Sequence, residues 1–317
     1  MKHVSSPCVA LVYAAFTLMT QLSAQADTFG GGTTNEFTID FVNIGNTGNA
    51  ADTTGYGAVR YEYRASTYEI TQNAITKATA SGMANVSAGA WSNNQPAATI
   101  SWYEAAAFVN FLNTNSGKTA AYNLAWSGTA WSMTLQSSSN AWTLGGTNLY
   151  RNKDAYYFLP SENEWYKAAY YNAAGTNYFS YPTGSNSVPT AVASGTNAGS
   201  AVYNGAASAP AIVNRAGGLS PYGTMGQGGN VFEWNESAND GSNSLSSENR
   251  AIRGGYWLND SQSLRSSGQF ARYNNTPTFA ATWVGFRVAS VPEPSTYALL
   301  LMAGAGWLLW KRRKATL

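Results

Sequence analysis

The chain has 317 residues, 44% of them hydrophobic and 11% charged, with a single cysteine and a single histidine. Both, Cys8 and His3, fall in an N-terminal leader, so the exported part has neither residue type, which excludes disulfides, thiolate and imidazole metal sites, Ser-His-Asp and Cys-His nucleophile pairs, and histidine acid-base catalysis. Of 18 basic residues, Lys2 and four in a C-terminal cluster belong to the two ends; the remaining 13 face 16 acidic residues, a net charge of −3 that argues against a nucleic-acid-binding face.

The leader places Lys2 and His3 before an apolar run from Cys8 to Met19 and the small residues Ala24 and Ala26. That is the pattern of a secretory signal peptide over residues 1–26, with cleavage expected after Ala26. Residues 27–56 read as one strand, Phe37 to Val42, framed by Gly and Asn loops. The main domain is expected over 57–291. Within it, Val59, Tyr61 and Tyr63 alternate with Arg60, Glu62 and Arg64, a period of two that predicts a strand leading to a helix near Thr71. Ser101 and Glu104 form an S-x-x-E capping box before Trp102, Ala105, Ala106, Val109 and Leu112, an apolar set at helical spacing.

Short Trp-bearing strands broken by Ser-Gly and Gly-Gly turns follow, which suggests hairpins. Their Trp126, Trp131 and Trp142 suit either core packing, the reading favoured by base frequency, or a sugar-stacking platform. Ser161 and Glu164 repeat the capping device ahead of Trp165, Ala168 and Ala169. From Tyr178 to Pro221 no period is sustained and irregular structure is expected. Glu162 with Glu164, and Glu233 with Glu236, are carboxylate pairs of the kind that glycoside hydrolysis requires. At the far end an apolar segment from Tyr297 to Trp310, shorter than the roughly 20 residues of a relaxed spanning helix, precedes Lys311, Arg312, Arg313 and Lys314. The basic flank should stay cytoplasmic. A single-pass anchor and a sorting tag both fit these residues.

Taken with "PEPS" at Pro292 to Ser295, the tail over 292–317 resembles the PEP-CTERM sorting signal of Gram-negative bacteria, marked here by Pro292, Glu293 and Pro294. The resemblance implies processing by a membrane-embedded exosortase, transient inner-membrane association through the short C-terminal helix, and delivery to the cell surface or an exopolysaccharide matrix. An exopolysaccharide or other glycan is then the expected partner.

Six short motifs in order, "YEIT" at Tyr68, "ISWYEAAAFVNFLN" at Ile100, "FLPSENEW" at Phe158, "YGTMGQGGNVFEW" at Tyr222, "IRGGYW" at Ile252 and "VGFRV" at Val284, resemble the formylglycine-generating enzyme (sulfatase-modifying factor) family. The fold this implies is α+β, the family's variant of the C-type lectin-like fold with much irregular chain. Family enzymes oxidise a sulfatase cysteine with oxygen and copper(I) held by two cysteines shortly after the Gly-Gly motif. Those positions fall here on Asn259 and Leu264, so no copper is expected, because copper(I) selects thiolates.

The resemblance further implies a calcium site at Gly226, Gly229, Val231 and Glu233, with Gly226 standing where an asparagine contributes; Asn230 and Glu233 equally suit fastening the turn by hydrogen bonds. A second, upstream family calcium site has no clear match. Arg253, Trp257, Asn259 and Arg265 are the candidates for a surviving ligand pocket, against roles in packing and loop fastening. The leading expectation is an exported, non-catalytic binding or structural module. The alternative is an enzyme, either an oxidase by an unrecognised route or a carboxylate-based glycan hydrolase.

Overall fold

The computed structural model describes residues 25–87, 89, 91–267 and 272–292. The leader before residue 25, Glu293, Pro294 and the apolar and basic parts of the tail lie outside the described residues. Among the described residues no helix is long and apolar enough to cross a membrane.

The first strands are set by alternation. In β2 (Phe37–Ile44) the side chains of Phe37, Ile39, Phe41 and Ile44 are buried, while Thr38 and Asp40 face out. It pairs antiparallel with β1 (Gln25–Phe29) and, on its other side, with β3 (Tyr63–Ser66). Segment 27–56 is therefore joined to the main domain by a shared sheet. The alternating stretch at Val59–Arg64 becomes strand only from Tyr63, because the register with β2 ends at Ile44 opposite Tyr63 and the residues before it have no strand to pair with. Val59 is nonetheless buried, and Tyr61 packs in the same cluster.

Among the described residues three α-helices follow. Helix α1 (Gln72–Ala80) starts at Thr71, whose hydroxyl accepts from the Ala74 amide. Helices α2 (Trp102–Asn115) and α3 (Glu162–Tyr170) each begin with both halves of the expected capping box formed. In α2, Trp102, Ala105, Ala106, Val109 and Leu112 are all fully buried, so the helical spacing marks the core face.

Between α2 and α3 lie two hairpins, β4 (Asn123–Trp126) with β5 (Trp131–Thr134) and β6 (Ala141–Trp142) with β7 (Asn148–Asn152), followed by β8 (Tyr157–Phe158). After α3, the short strands β9 (Tyr171–Asn172) and β10 (Asn177–Tyr178) pair, as do β11 (Thr190–Ala191) and β12 (Ser200–Ala201). Otherwise the chain to Pro221 is irregular, as its composition suggests, and is held by backbone bonds such as Val192 N–H to Ala201 O and Gly217 N–H to Gly195 O.

The C-terminal third supplies β13 (Phe232–Ala238), β14 (Arg250–Arg253), β15 (Arg272–Asn275), β16 (Val284–Phe286) and β17 (Ala289–Ser290). Two sheets result, a five-stranded one in the order β1-β2-β3-β17-β8 and a four-stranded one in the order β15-β14-β13-β16. All of β13 is buried. Trp234 on it and Phe286 on β16 join Trp102 and Phe108 of α2 in the largest core cluster.

Candidate functional site

The loop after β14 is shaped by Gly254 and Gly255, at φ +101° and +76°. A Cβ on Gly254 would meet Gln227 O at 3.0 Å, and one on Gly255 would meet Leu264 and Ser263 at 3.1 Å. The chain then turns back through a short 3-10 segment, Ser261–Leu264, capped by Asp260, whose carboxylate accepts from the Gln262 amide at 3.0 Å. Both positions that would carry thiols have structural tasks. Asn259 closes the turn: its Oδ1 accepts from Tyr256 N–H at 3.0 Å and its carbonyl accepts from Asn204 N–H at 2.7 Å. Leu264 is fully buried with Tyr181, Ala201 and Tyr203.

Of the other three pocket candidates only Arg253 is fully engaged, since Trp257 Nε1 and Arg265 Nε are buried without a hydrogen-bond partner among the described residues. Arg253 is buried, donates from Nε to Glu162 Oε1 at 2.7 Å and lies 4.6 Å from the Tyr56 ring centroid. Trp257 is buried edge-to-face against Trp91. Arg265 is half-buried over Tyr181. Trp257 and Asn259 share one turn, whereas Arg253 and Arg265 serve different loops.

The "GGNVFEW" turn is built as tightly. Gly229 sits at φ +86°, and a Cβ there would come within 2.1 Å of Val202 O. Asn230, itself at φ +58°, accepts from Ala211 N–H at 2.8 Å and donates to Glu69 Oε2 at 2.7 Å. Glu233 does not face an ion site. Its two oxygens accept from Arg287 Nε and Nη2, both at 2.6 Å, and from Trp165 Nε1 at 2.7 Å. Three of the carboxylate's roughly four acceptor positions are thus filled, and a guanidinium already supplies the positive charge. The set Gly226, Gly229, Val231 and Glu233 therefore does not fit calcium. Among the described residues no three acidic, His or Cys side chains gather to hold a metal.

Beside Gly226 lies a carboxylate that spacing did not reveal. A Cβ on Gly226 would be 2.8 Å from Glu69 Oε2, and Glu69 Oε1 is buried without a partner. Burial, then the Glu233 charge, push the Glu69 carboxyl well above its usual range, against the opposing pull of Arg287 and Asn230. The folded state holds this proton more tightly than the unfolded state. The associated stability is complete below about pH 4.5, the ordinary glutamate value, and is lost as pH rises through the folded value. Urea midpoints for Glu69→Gln should decline less than wild type between about pH 4 and pH 8; parallel profiles would show that folding does not raise the Glu69 carboxyl.

The carboxylate pairs are also spent on arginines. Arg151 donates to Glu164 at 3.0 and 2.8 Å and to Glu236 at 2.9 and 2.7 Å, with all three side chains buried. Tyr61 and Tyr122 add hydroxyl bonds to Glu164 and Glu236 at 2.7 and 2.8 Å. Burial raises the Glu164 carboxyl, but the Arg151 charge and hydrogen bonds outweigh it and hold the group below the usual range. Glu162 accepts from Arg253 and from Arg272, the latter at 2.6 and 2.9 Å. A glycosidase needs one carboxyl that keeps a proton for the leaving group. Here all four are acceptors locked to guanidinium groups.

A family model for the sulfatase-modifying factor enzyme 1-like domain matches residues 25–291, and one for the PEP-CTERM protein-sorting motif matches residues 290–314. Among solved structures, Treponema denticola variable protein 1 superposes with a TM-score of 0.58 at 19% identity, over 84% of this chain and 99% of that one. The protein CarF superposes with a TM-score of 0.55 at 18% identity, over 80% of this chain and 99% of that one. No curated protein sequence matches the chain. The shared architecture is the α+β C-type lectin-like fold of the formylglycine-generating type.

Proposed function

Because the chain belongs to the sulfatase-modifying factor enzyme 1-like family, we propose that it keeps the family scaffold for binding and has given up the family oxidation. The observation that carries this reading is Leu264, fully buried among aromatic and small side chains where a second thiol would be needed. Asn259, at the other position, offers a neutral amide already bonded within its own turn. Neither position offers copper(I) a thiolate, the ligand it selects. The motif at 290–314 is an export and sorting signal read by exosortase, which directs the protein to the surface or extracellular space. Retention in an exopolysaccharide matrix, with a glycan as partner, is the finer part of the proposal.

The chemistry is tested with the exported chain, lacking the leader that carries Cys8, in detergent and incubated with a sulfatase-type cysteine peptide with and without copper(I). Neither stoichiometric copper binding nor an aldehyde above the protein-free control is expected, since no thiolate is present to bind metal or exchange with substrate. Aldehyde formation would return the protein to the enzymes.

A further inference from the structure

The β4–β5 hairpin and the start of α2 enclose an open groove of about 460 Å³ that neither the Gly-Gly loop nor the "GGNVFEW" turn enters. Its volume falls in the range of small-molecule sites, about 300–1,000 Å³. Trp126 and Trp131, directly opposite one another across the hairpin, form its floor with Tyr103. Trp142, the third tryptophan of this region, is instead buried in the core.

The two groove tryptophans differ from a pair that only staples a hairpin. Trp131 is fixed by its indole N–H, which donates to Asn85 O at 2.9 Å, while Trp126 remains 38% exposed. Several polar groups on the lining have no hydrogen-bond partner among the described residues: the Trp126 indole N–H, the Tyr103 hydroxyl, the Ser87 hydroxyl and the Asn85 side-chain amide. Glu104 is held in place by Ser87 N–H at 2.9 Å on Oε1 and by Ser101 N–H and Oγ at 2.8 and 2.7 Å on Oε2. That leaves acceptor capacity on Oε1.

The ligand chemistry follows from what lines the groove. No lysine or arginine does, and one carboxylate does, so an anion is disfavoured. The Trp126 and Trp131 ring centroids are 5.3 Å apart at 60°, in edge contact, which leaves no space between the faces for a caged quaternary ammonium ion. What remains is an exposed aromatic face ringed by unpaired donors and acceptors. A pyranose with equatorial hydroxyls matches it, offering a flat C–H face to the indole and hydroxyls to the rim.

We propose that this groove binds a neutral pyranose unit of a glycan, with Trp126 as the stacking surface and Asn85, Ser87, Tyr103 and Glu104 as the hydrogen-bonding rim. The proposal rests on the reading of the chain as a binding module and names the site that would serve it.

The test uses the full-length chain in a detergent without a sugar head group, titrated calorimetrically with a neutral β-linked glucose tetrasaccharide, a uronic-acid tetrasaccharide and phosphocholine. Binding of the neutral tetrasaccharide is expected, accompanied by a change in tryptophan fluorescence. Trp126→Ala should weaken it by about fivefold or more, and Tyr103→Phe, which removes only a hydroxyl, should weaken it at an unchanged melting temperature. Failure of the tetrasaccharide to bind, equal binding by Trp126→Ala, or preference for the uronic acid or phosphocholine would each overturn the assignment. Equal binding by Trp126→Ala would place the glycan elsewhere and leave the module reading standing, whereas aldehyde formation from the cysteine peptide would sink that reading itself.

Discussion

Arg151→Met should be among the most damaging single changes in this domain, costing about 3–5 kcal/mol or more by urea denaturation. The guanidinium bridges two fully buried carboxylates, Glu164 and Glu236, and lies 3.7 Å from the Phe158 ring centroid. Its removal leaves both buried charges without a counter-ion, beside only the neutral donors Tyr61, Tyr122 and Asn148. Against a typical domain stability of about 5–15 kcal/mol, that is a large share. The triple variant Arg151→Met, Glu164→Gln, Glu236→Gln should recover most of the loss, because it removes the whole buried ionic group and Gln still completes the capping box with Ser161. A triple variant no more stable than Arg151→Met would show that the network fixes geometry that neutral side chains cannot hold.

Glu233→Gln should lower the melting temperature by about 6–12 °C, from a loss of about 3 kcal/mol at about 2–4 °C per kcal/mol for a domain of this size. The reason is Arg287, fully buried, which loses a two-point partner and keeps only backbone carbonyls of Ser66 and Met225 at 2.8 Å and a longer contact to Thr67 O. If Glu233 instead held calcium, the wild-type melt would rise with calcium by linkage and that rise would vanish in the variant. The ion-pair assignment expects the same wild-type melt in calcium and in chelator. An upward shift with calcium would reverse it.

What could be read from the sequence was local. Ser101 with Glu104, and Ser161 with Glu164, lie three residues apart, so both capping boxes are fixed by helix geometry alone. The Gly-Gly turn and the absence of thiols near it were likewise legible, because a missing residue type is visible without contacts. The ionic ties were not: Arg151 meets Glu236 across 85 residues and Arg287 meets Glu233 across 54, and no spacing rule connects them. Glu164 was legible as a cap, yet the same carboxylate also anchors Arg151. Glu233 stayed open between an ion ligand and a turn fastener because its segment determines a turn but does not reveal that Arg287 stands opposite. The alternation at Val59 was a true burial signal, but strand also needs a partner, and β2 runs out at Ile44.

The placement of β17 sets a timetable for export. Ala289 pairs with Ala65 on one side and Phe158 on the other, so this strand wedges between β3 and β8 and completes the five-stranded sheet. Threaded through a translocation pore from its N-terminal side, the chain delivers β1, β2 and β3 long before β17, and until then β3 presents an unpaired edge open to wrong partners. The missing strand also abuts the sorting motif, which begins at residue 290. Sheet closure over so long a loop is slow, and it can finish only once Ala289 and Ser290 are available to pair. The residues that complete the sheet and those that open the sorting motif are thereby neighbours in one short stretch of chain.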